Sequence, residues 1–257
     1  MARLFSVRRG SGEPLVLIMG MGGHHRMWHE SFLKLLEADF DLLLFDHRGI
    51  GTSDRADGPF TTAELAADVV ALLDEAGWSS AHVFGISMGG LVAQELALTH
   101  PGRVRTLTLG CTFVGKGADF SAPGPQRFVE AGSTRDAEVA VRTGFEVNLS
   151  AAYRADPVNF ELFREESLAV RVPIPVVLLQ FQAVLAHDAL SRLPELSVPT
   201  LVMHGTADDM VAVRNGEQLA SAIPGARLEI FEGAGHLFWW EDMDRATALL
   251  REHAGVG

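Results

Sequence analysis

Ser87 lies in Gly85–Ile86–Ser87–Met88–Gly89, a G-x-S-x-G pattern in which a serine can act as a nucleophile. On a sharp turn from strand to helix the hydroxyl stands exposed above a sheet, and the flanking glycines let strand and helix approach closely. So short a pattern also arises by chance, and a serine ahead of a helix often serves only as its N-cap. The apolar run Ala81–Ile86 before it and the helical pattern from Gly89 after it favour the nucleophile.

A free serine hydroxyl is a poor nucleophile near neutral pH and needs a base. Among ten histidines, His236 sits in Gly233–Ala234–Gly235–His236, just beyond the strand candidate Arg227–Phe231. Sites in open α/β sheets form at such carboxyl ends of strands. His82 and His204 fall inside strand candidates and are read as structural. His100 precedes Pro101 at a helix end, and His187 and His253 read as solvated helix positions. The base must be held in its productive tautomer by an acid. Asp208 and its neighbour Asp209 follow the strand candidate 200–204, and loop position favours Asp208. A second place for an acid follows the candidate strand 104–109, but no carboxylate appears there until Asp119. The developing oxyanion needs preorganised donors. The backbone N–H of Met88, directly after the serine, is one. Met21, in the loop Met19–Gly20–Met21–Gly22–Gly23, is the other, the alternative being a plain glycine turn.

These side chains can converge only if short strands deliver them to one edge of a sheet. Apolar runs at 15–18, 42–45, Ala81–Ile86, 104–109, 200–204 and Arg227–Phe231 alternate with helix-period segments. Residues 61–76 show the helical pattern best: Leu65, Val69, Leu72 and Leu73 share a face, Thr61 and Glu64 form a capping box, and Gly77 ends it. Such alternation predicts βαβ units and a mostly parallel sheet covered by helices. The alternation breaks over 112–196, where helical pieces near 136–147, 158–170 and 176–187 are separated by Pro and Gly. The expected organisation is an α/β core of residues 1–111 and 197–257 with a helical cap at 112–196.

The composition is that of a globular domain, with 257 residues, 47% hydrophobic and 21% charged. A single cysteine, Cys111, permits no intrachain disulfide, and a formal net charge of −12 argues against nucleic acid as a partner. The N-terminal stretch from Met1 has no apolar run of signal-peptide length, and no segment reaches the ~20 apolar residues of a membrane span. A cytoplasmic protein acting on a small molecule is expected, with neither nucleic acid nor membrane as partner and with room for a homodimer. His25 and His29 have the i, i+4 spacing of metal ligands, but no Cys or H-E-x-x-H pattern completes a site, so neither metal nor cofactor is expected.

Taken together, these residues resemble the α/β-hydrolase fold family, in its esterase and 3-oxoadipate enol-lactonase-like branch. The likeness rests on Gly85 to Gly90, His100–Pro101, Gly233 to His236 and Asp46–His47–Arg48–Gly49–Ile50–Gly51–Thr52–Ser53, similar to the family's D-x-R-G-x-G-x-S. It implies the order Ser87, Asp208, His236 for nucleophile, acid and base. One departure is visible: Met19 stands where the family usually has the histidine of H-G-x-G. Ser87 also separates the chain from the fold's dehalogenases and epoxide hydrolases, which place aspartate at that turn. The only tyrosine, Tyr153, fits poorly with the paired cap tyrosines of the latter.

The expected reaction is hydrolysis of a carboxylic ester or lactone through an acyl-enzyme on Ser87. Phe113, Phe128 and Phe145 in the cap, Leu237 after the base and His24 after the oxyanion loop are the candidate substrate contacts. With Phe160, Phe163, Phe181, Phe238, Trp239 and Trp240 they suggest a largely apolar pocket for a small to medium substrate. Alternatives on the same triad are C–C bond hydrolysis and cofactor-free perhydrolysis. A non-catalytic ligand receptor and a natural-product cyclase are further readings.

Overall fold

The computed structural model describes residues 2–134 and 136–256; Met1, where the N-terminal stretch begins, Arg135 and Gly257 lie outside them. Seven strands form one sheet: β1 Ser6–Gly10, β2 Glu13–Ile18, β3 Phe40–Phe45, β4 Ala81–Ile86, β5 Val104–Gly110, β6 Thr200–Gly205 and β7 Arg227–Phe231. Their order is β1-β3-β2-β4-β5-β6-β7. Only β1 runs antiparallel to its neighbour; the other pairs are parallel. All residues of β3, β4 and β6 are buried, as continuous apolar runs covered on both faces require. The edge strand β1, Ser-Val-Arg-Arg-Gly, alternates between exposed and half-buried positions and carries no apolar run that would mark it in the sequence.

Helices α1 Glu30–Leu36, α2 Thr62–Glu75 and α3 Met88–Thr99 cover the first half of the sheet. The capping box at Thr61 and Glu64 is present in both directions. Between β5 and β6 lie α4 Gly124–Ser133, α5 Ala137–Asn148, α6 Ala151–Arg154, α7 Pro157–Leu168 and α8 Ile174–Ala186, with no further strand among the described residues. After β6 come α9 Arg214–Ala222, α10 Phe238–Glu241 and α11 Met243–Ala254. No helix of the described residues is long and apolar enough to cross a membrane. Two apolar clusters fill the two faces of the sheet. Trp28, Trp239 and Phe84 stack within one of them, with ring centroids 5.3 and 5.2 Å from Trp28.

His187 departs from its expected solvated position. It is buried and its Nδ1 lies 2.9 Å from Thr62 Oγ1, which ties the end of α8 to the start of α2. Burial, reinforced by the Arg192 charge, lowers its pKa to about 4. An unfolded histidine titrates near ~6.5. The neutral imidazole therefore stabilises the fold fully above that pH, and the contribution is lost as pH falls toward 4. Thermal unfolding followed by circular dichroism should show a midpoint that drops between pH 6.5 and 4. His187→Asn, which keeps a polar partner for Thr62 but cannot ionise, should make that drop shallower; an unchanged slope would remove His187 from the account.

Candidate active site

The strand order reverses at β2, which has β3 on one side and β4 on the other. A crevice opens at such a switch point beyond the carboxyl ends of the strands. The loop after β2 and the turn after β4 both end there, and they carry the oxyanion-loop residues and Ser87. Ser87 has φ 52° and ψ −123°, a conformation that L-residues adopt only under constraint. The constraint is visible: its N–H donates to Gly110 O at 3.0 Å and its carbonyl accepts from Thr112 Oγ1 at 2.6 Å. A Cβ on Gly89 would stand 2.1 Å from Ile18 O, and one on Gly85 would stand 2.3 Å from Gly89 O, so the motif's glycines answer to close backbone approach.

Asp208 and His236 meet as expected, with His236 Nδ1 2.8 Å from Asp208 Oδ2 and both residues buried. The other carboxylate oxygen accepts from the N–H groups of Met210 and Val211, each at 2.8 Å. His204 is a member of this cluster that its place in a strand did not announce. Its Nε2 lies 2.9 Å from Val211 O and 3.2 Å from Asp208 Oδ2. A carbonyl only accepts, so that nitrogen carries the proton and both acceptors share it. Burial alone would raise the Asp208 pKa, but the interactions with His236 and His204 outweigh it and hold the carboxyl well below its usual range. With Asp208 ionised, His236 Nδ1 donates and Nε2 keeps its lone pair. Among the described residues no hydrogen bond joins Ser87 Oγ to His236. In unliganded sites of this kind that bond is often long and tightens with substrate. Asp209 makes no hydrogen bond to His236 among the described residues; its backbone carbonyl accepts from Gly124 N at 2.7 Å.

Cys111 lies against Asp208 and His236, a placement with no local signal in the sequence. Its sulfur, an Asp208 carboxylate oxygen and a His236 ring nitrogen all lie within 4.8 Å of one another. Burial, with the Asp208 charge and against a backbone contact to Ser87, raises the thiol pKa well above its ordinary value. A fully buried neutral thiol packs behind the site and is neither a nucleophile nor a ready metal ligand. Asp208 and His236, the other two members, are already committed to each other.

The loop after β2 runs close to Ser87: a Cβ on Gly20 would come within 3.0 Å of Ser87 Cβ. Gly23 N–H closes a turn onto Gly20 O at 3.2 Å. In a trans peptide the Met21 N–H then points opposite to that carbonyl, out of the turn. Met88 opens α3, so its N–H has no acceptor within the helix. Among the described residues neither of these two expected donors has a backbone acceptor outside the helices and strands. The departure at Met19 has a structural answer: His47 Nε2 lies 2.9 Å from Met19 O. Burial lowers the His47 pKa and keeps the ring neutral, so a neutral N–H steadies the loop from the D-x-R-G segment. On the other side Gly22 N–H donates to Gln180 Oε1 of α8 at 2.8 Å. The His236 loop is fastened similarly, since Glu241 Oε1 accepts from both Gly235 N and Ser150 N at 2.9 Å.

The candidate substrate contacts are dispersed. Leu237 is buried next to His236 and donates its N–H to Asn148 O at 2.9 Å. Phe145 is buried against Phe160 and Phe163, at 5.3 and 5.5 Å between centroids. Phe128 lies near the same group, across Gly144. Phe113 packs on Phe120 at 5.6 Å. His24 is buried, and desolvation lowers its pKa. Phe238, Trp239 and Trp240, expected to help form a pocket, are core residues with at most 1% exposure. His25 and His29 are not on one helical face: His25 pairs with Asp46 at 2.9 Å, and His29 caps α1 through Ser31 N at 3.1 Å. Two surface clefts of about 800 and 410 Å³ flank Arg26 and contain none of Ser87, Asp208 or His236.

Residues 13–242 match the family of the alpha/beta hydrolase fold. A protein of Azorhizobium caulinodans named as a carbamate hydrolase, RutD, is 33% identical over 250 residues, covering 92% of this chain and 89% of the relative. The crystal structure of a hydrolase from Pseudomonas aeruginosa superposes with a TM-score of 0.85 at 31% identity, covering 99% of this chain and 95% of that one. An enol-lactonase from Burkholderia xenovorans gives a TM-score of 0.86 at 27% identity, covering 99% and 97%. On its sheet order, its strained turn at Ser87 and these matches, the chain belongs to the α/β-hydrolase fold family.

Proposed function

We propose that the protein is a serine hydrolase cleaving carboxylic esters or lactones, with Ser87 as nucleophile, His236 as general base and Asp208 as orienting acid. The observation that carries this reading is a strained, partly exposed serine on a strand-to-helix turn together with a buried His236–Asp208 couple in which both Asp208 oxygens already accept hydrogen bonds. His236 Nε2 accepts the Ser87 proton as Oγ attacks the carbonyl carbon. Met21 and Met88 N–H groups hold the tetrahedral oxyanion. His236 then returns the proton to the leaving alkoxide oxygen, and water, activated by the same nitrogen, releases the acid. The helices between β5 and β6 act as a cap whose aromatic residues give the acyl or ring part an apolar setting.

The test is covalent. A fluorophosphonate probe should label Ser87 stoichiometrically, with the adduct located by peptide mass spectrometry. A panel of uncharged p-nitrophenyl esters and lactones should be turned over in preference to multiply charged analogues. No adduct, or an adduct elsewhere, overturns the assignment.

A further inference from the structure

Gln180 is one of two polar residues in α8, whose sequence Ile-Pro-Val-Val-Leu-Leu-Gln-Phe-Gln-Ala-Val-Leu-Ala is otherwise apolar. The two glutamines differ: Gln182 faces solvent, whereas Gln180 is fully buried. Its Oε1 accepts from Gly22 N–H, one residue beyond the Met21 donor. A backbone N–H only donates, so the atom it meets is the carboxamide oxygen, and the orientation of the amide follows. The Nε2 group is then left beside the oxyanion loop, buried and without a hydrogen-bond partner among the described residues. An unserved donor in such a place is costly, and native structures rarely keep one without a use. Val177, one turn before Gln180, meets the same loop at Gly22, so α8 lies directly over it.

We propose that Gln180 is a specificity-determining residue whose Nε2 donates to a second acceptor oxygen of the substrate, apart from the carbonyl that Ser87 attacks. The favoured substrate class is then an ester or lactone carrying a further carbonyl or ether oxygen, not a plain hydrocarbon ester. The same side chain makes both contacts: Oε1 fixes the oxyanion loop and Nε2 reads the ligand. A substrate that satisfies Nε2 thereby holds α8 against the loop that stabilises its own transition state. A site built to serve a hydrogen-bonding group discriminates more sharply than an apolar one, because the analogue lacking that group leaves the donor unpaired.

This inference rests on Ser87 being the nucleophile. Two matched substrate pairs test it: p-nitrophenyl levulinate against p-nitrophenyl 4-methylpentanoate for the acyl side, and 2-methoxyethyl butyrate against butyl butyrate for the alcohol side. Wild type should favour the oxygen-bearing member of one pair. Gln180→Leu removes both contacts and should lower kcat/KM for all four esters, but for the favoured one by roughly tenfold more. Gln180→Glu keeps an acceptor for Gly22 N–H and, once ionised, supplies no donor, so on the alkaline side of its titration it should lose the same preference even if Gln180→Leu proves unstable. Unchanged ratios in both pairs overturn the proposal and leave Gln180 as a loop clamp only, or its Nε2 served by water. If wild type turns over none of the four and takes no fluorophosphonate at Ser87, the hydrolase reading falls, and this inference with it.

Discussion

With Ser87 as the proposed nucleophile, Ser87→Ala should lower kcat/KM for any ester that is turned over by about 10⁴- to 10⁶-fold, because no other nucleophile stands at the site among the described residues. Cys111, the one thiol near the site, is fully buried and held neutral. What survives the substitution is the oxyanion loop and the binding surface, which alone leave a small residual rate over water. The fold should hardly notice. Ser87 Oγ makes no hydrogen bond among the described residues, and the strained backbone is held by the Ser87 N–H, its carbonyl and Thr112, none of which the change removes. Ser87→Ala should therefore unfold within about 0.5 kcal/mol of wild type. Ser87→Gly separates strain from chemistry. Glycine accepts φ 52° without a Cβ conflict, so this variant should be more stable than wild type by about 1 kcal/mol while equally inactive. Steady-state kinetics and thermal melts of the two variants check both halves. Turnover above a few per cent of wild type in either variant would mean that Ser87 is not the nucleophile.

Much of this arrangement could be read from the chain, and the parts that could not share a physical cause. Parallel strands buried on both faces write themselves as apolar runs, and Ala81–Ile86 falls at the expected residues; the half-buried edge strand Arg227–Phe231 also falls where expected. The capping box at Thr61 is a local pattern and is found where the pattern stands. Ser87, Asp208 and His236 each follow a strand end, so strand placement locates them. The edge strand β1 has no such signature because only one of its sides is paired and its side chains meet solvent. His47, His204, Gln180 and Cys111 were missed for another reason. Gln180 meets Gly22 across 158 residues and His47 meets Met19 across 28, distances over which periodicity carries no information. His204 lies only four residues from Asp208, yet inside a buried strand its ring reads as packing until the turn folds back over it. The aromatic run after His236 illustrates the converse. Trp239 and Trp240 look suited to a binding pocket, but both rings are needed in the core against Trp28 and Phe163.

Asp208→Asn should leave substrate binding nearly intact and reduce kcat by about 10⁴-fold, the scale seen when the acid of a serine triad is made neutral. The reason is tautomeric. The carboxylate receives four N–H groups: Met210 and Val211 on one oxygen, His236 Nδ1 and His204 Nε2 on the other. Asparagine can satisfy the two backbone donors with its oxygen, but its amide then faces two ring nitrogens that also donate. His204 keeps the Val211 carbonyl. Among the described residues His236 has no second acceptor at Nδ1, so its proton moves to Nε2, and the nitrogen proposed to receive the Ser87 proton is already occupied. Mutating the neighbour provides the control: Asp209→Asn should stay within about twofold of wild type, the scale of a surface change remote from the chemistry. Stability adds a second readout, since removing charged acceptors from buried donors costs about 1–3 kcal/mol. Its pH dependence has a definite sign. Asp208 is held below the ~3.9 of a free aspartate, so its contribution is complete above that pH and declines as pH falls beneath it. The stability gap between wild type and Asp208→Asn should be widest near neutrality and narrow below pH 4. A variant that keeps kcat within tenfold, or a gap that widens with acid, would show that Asp208 is not the charged partner of His236.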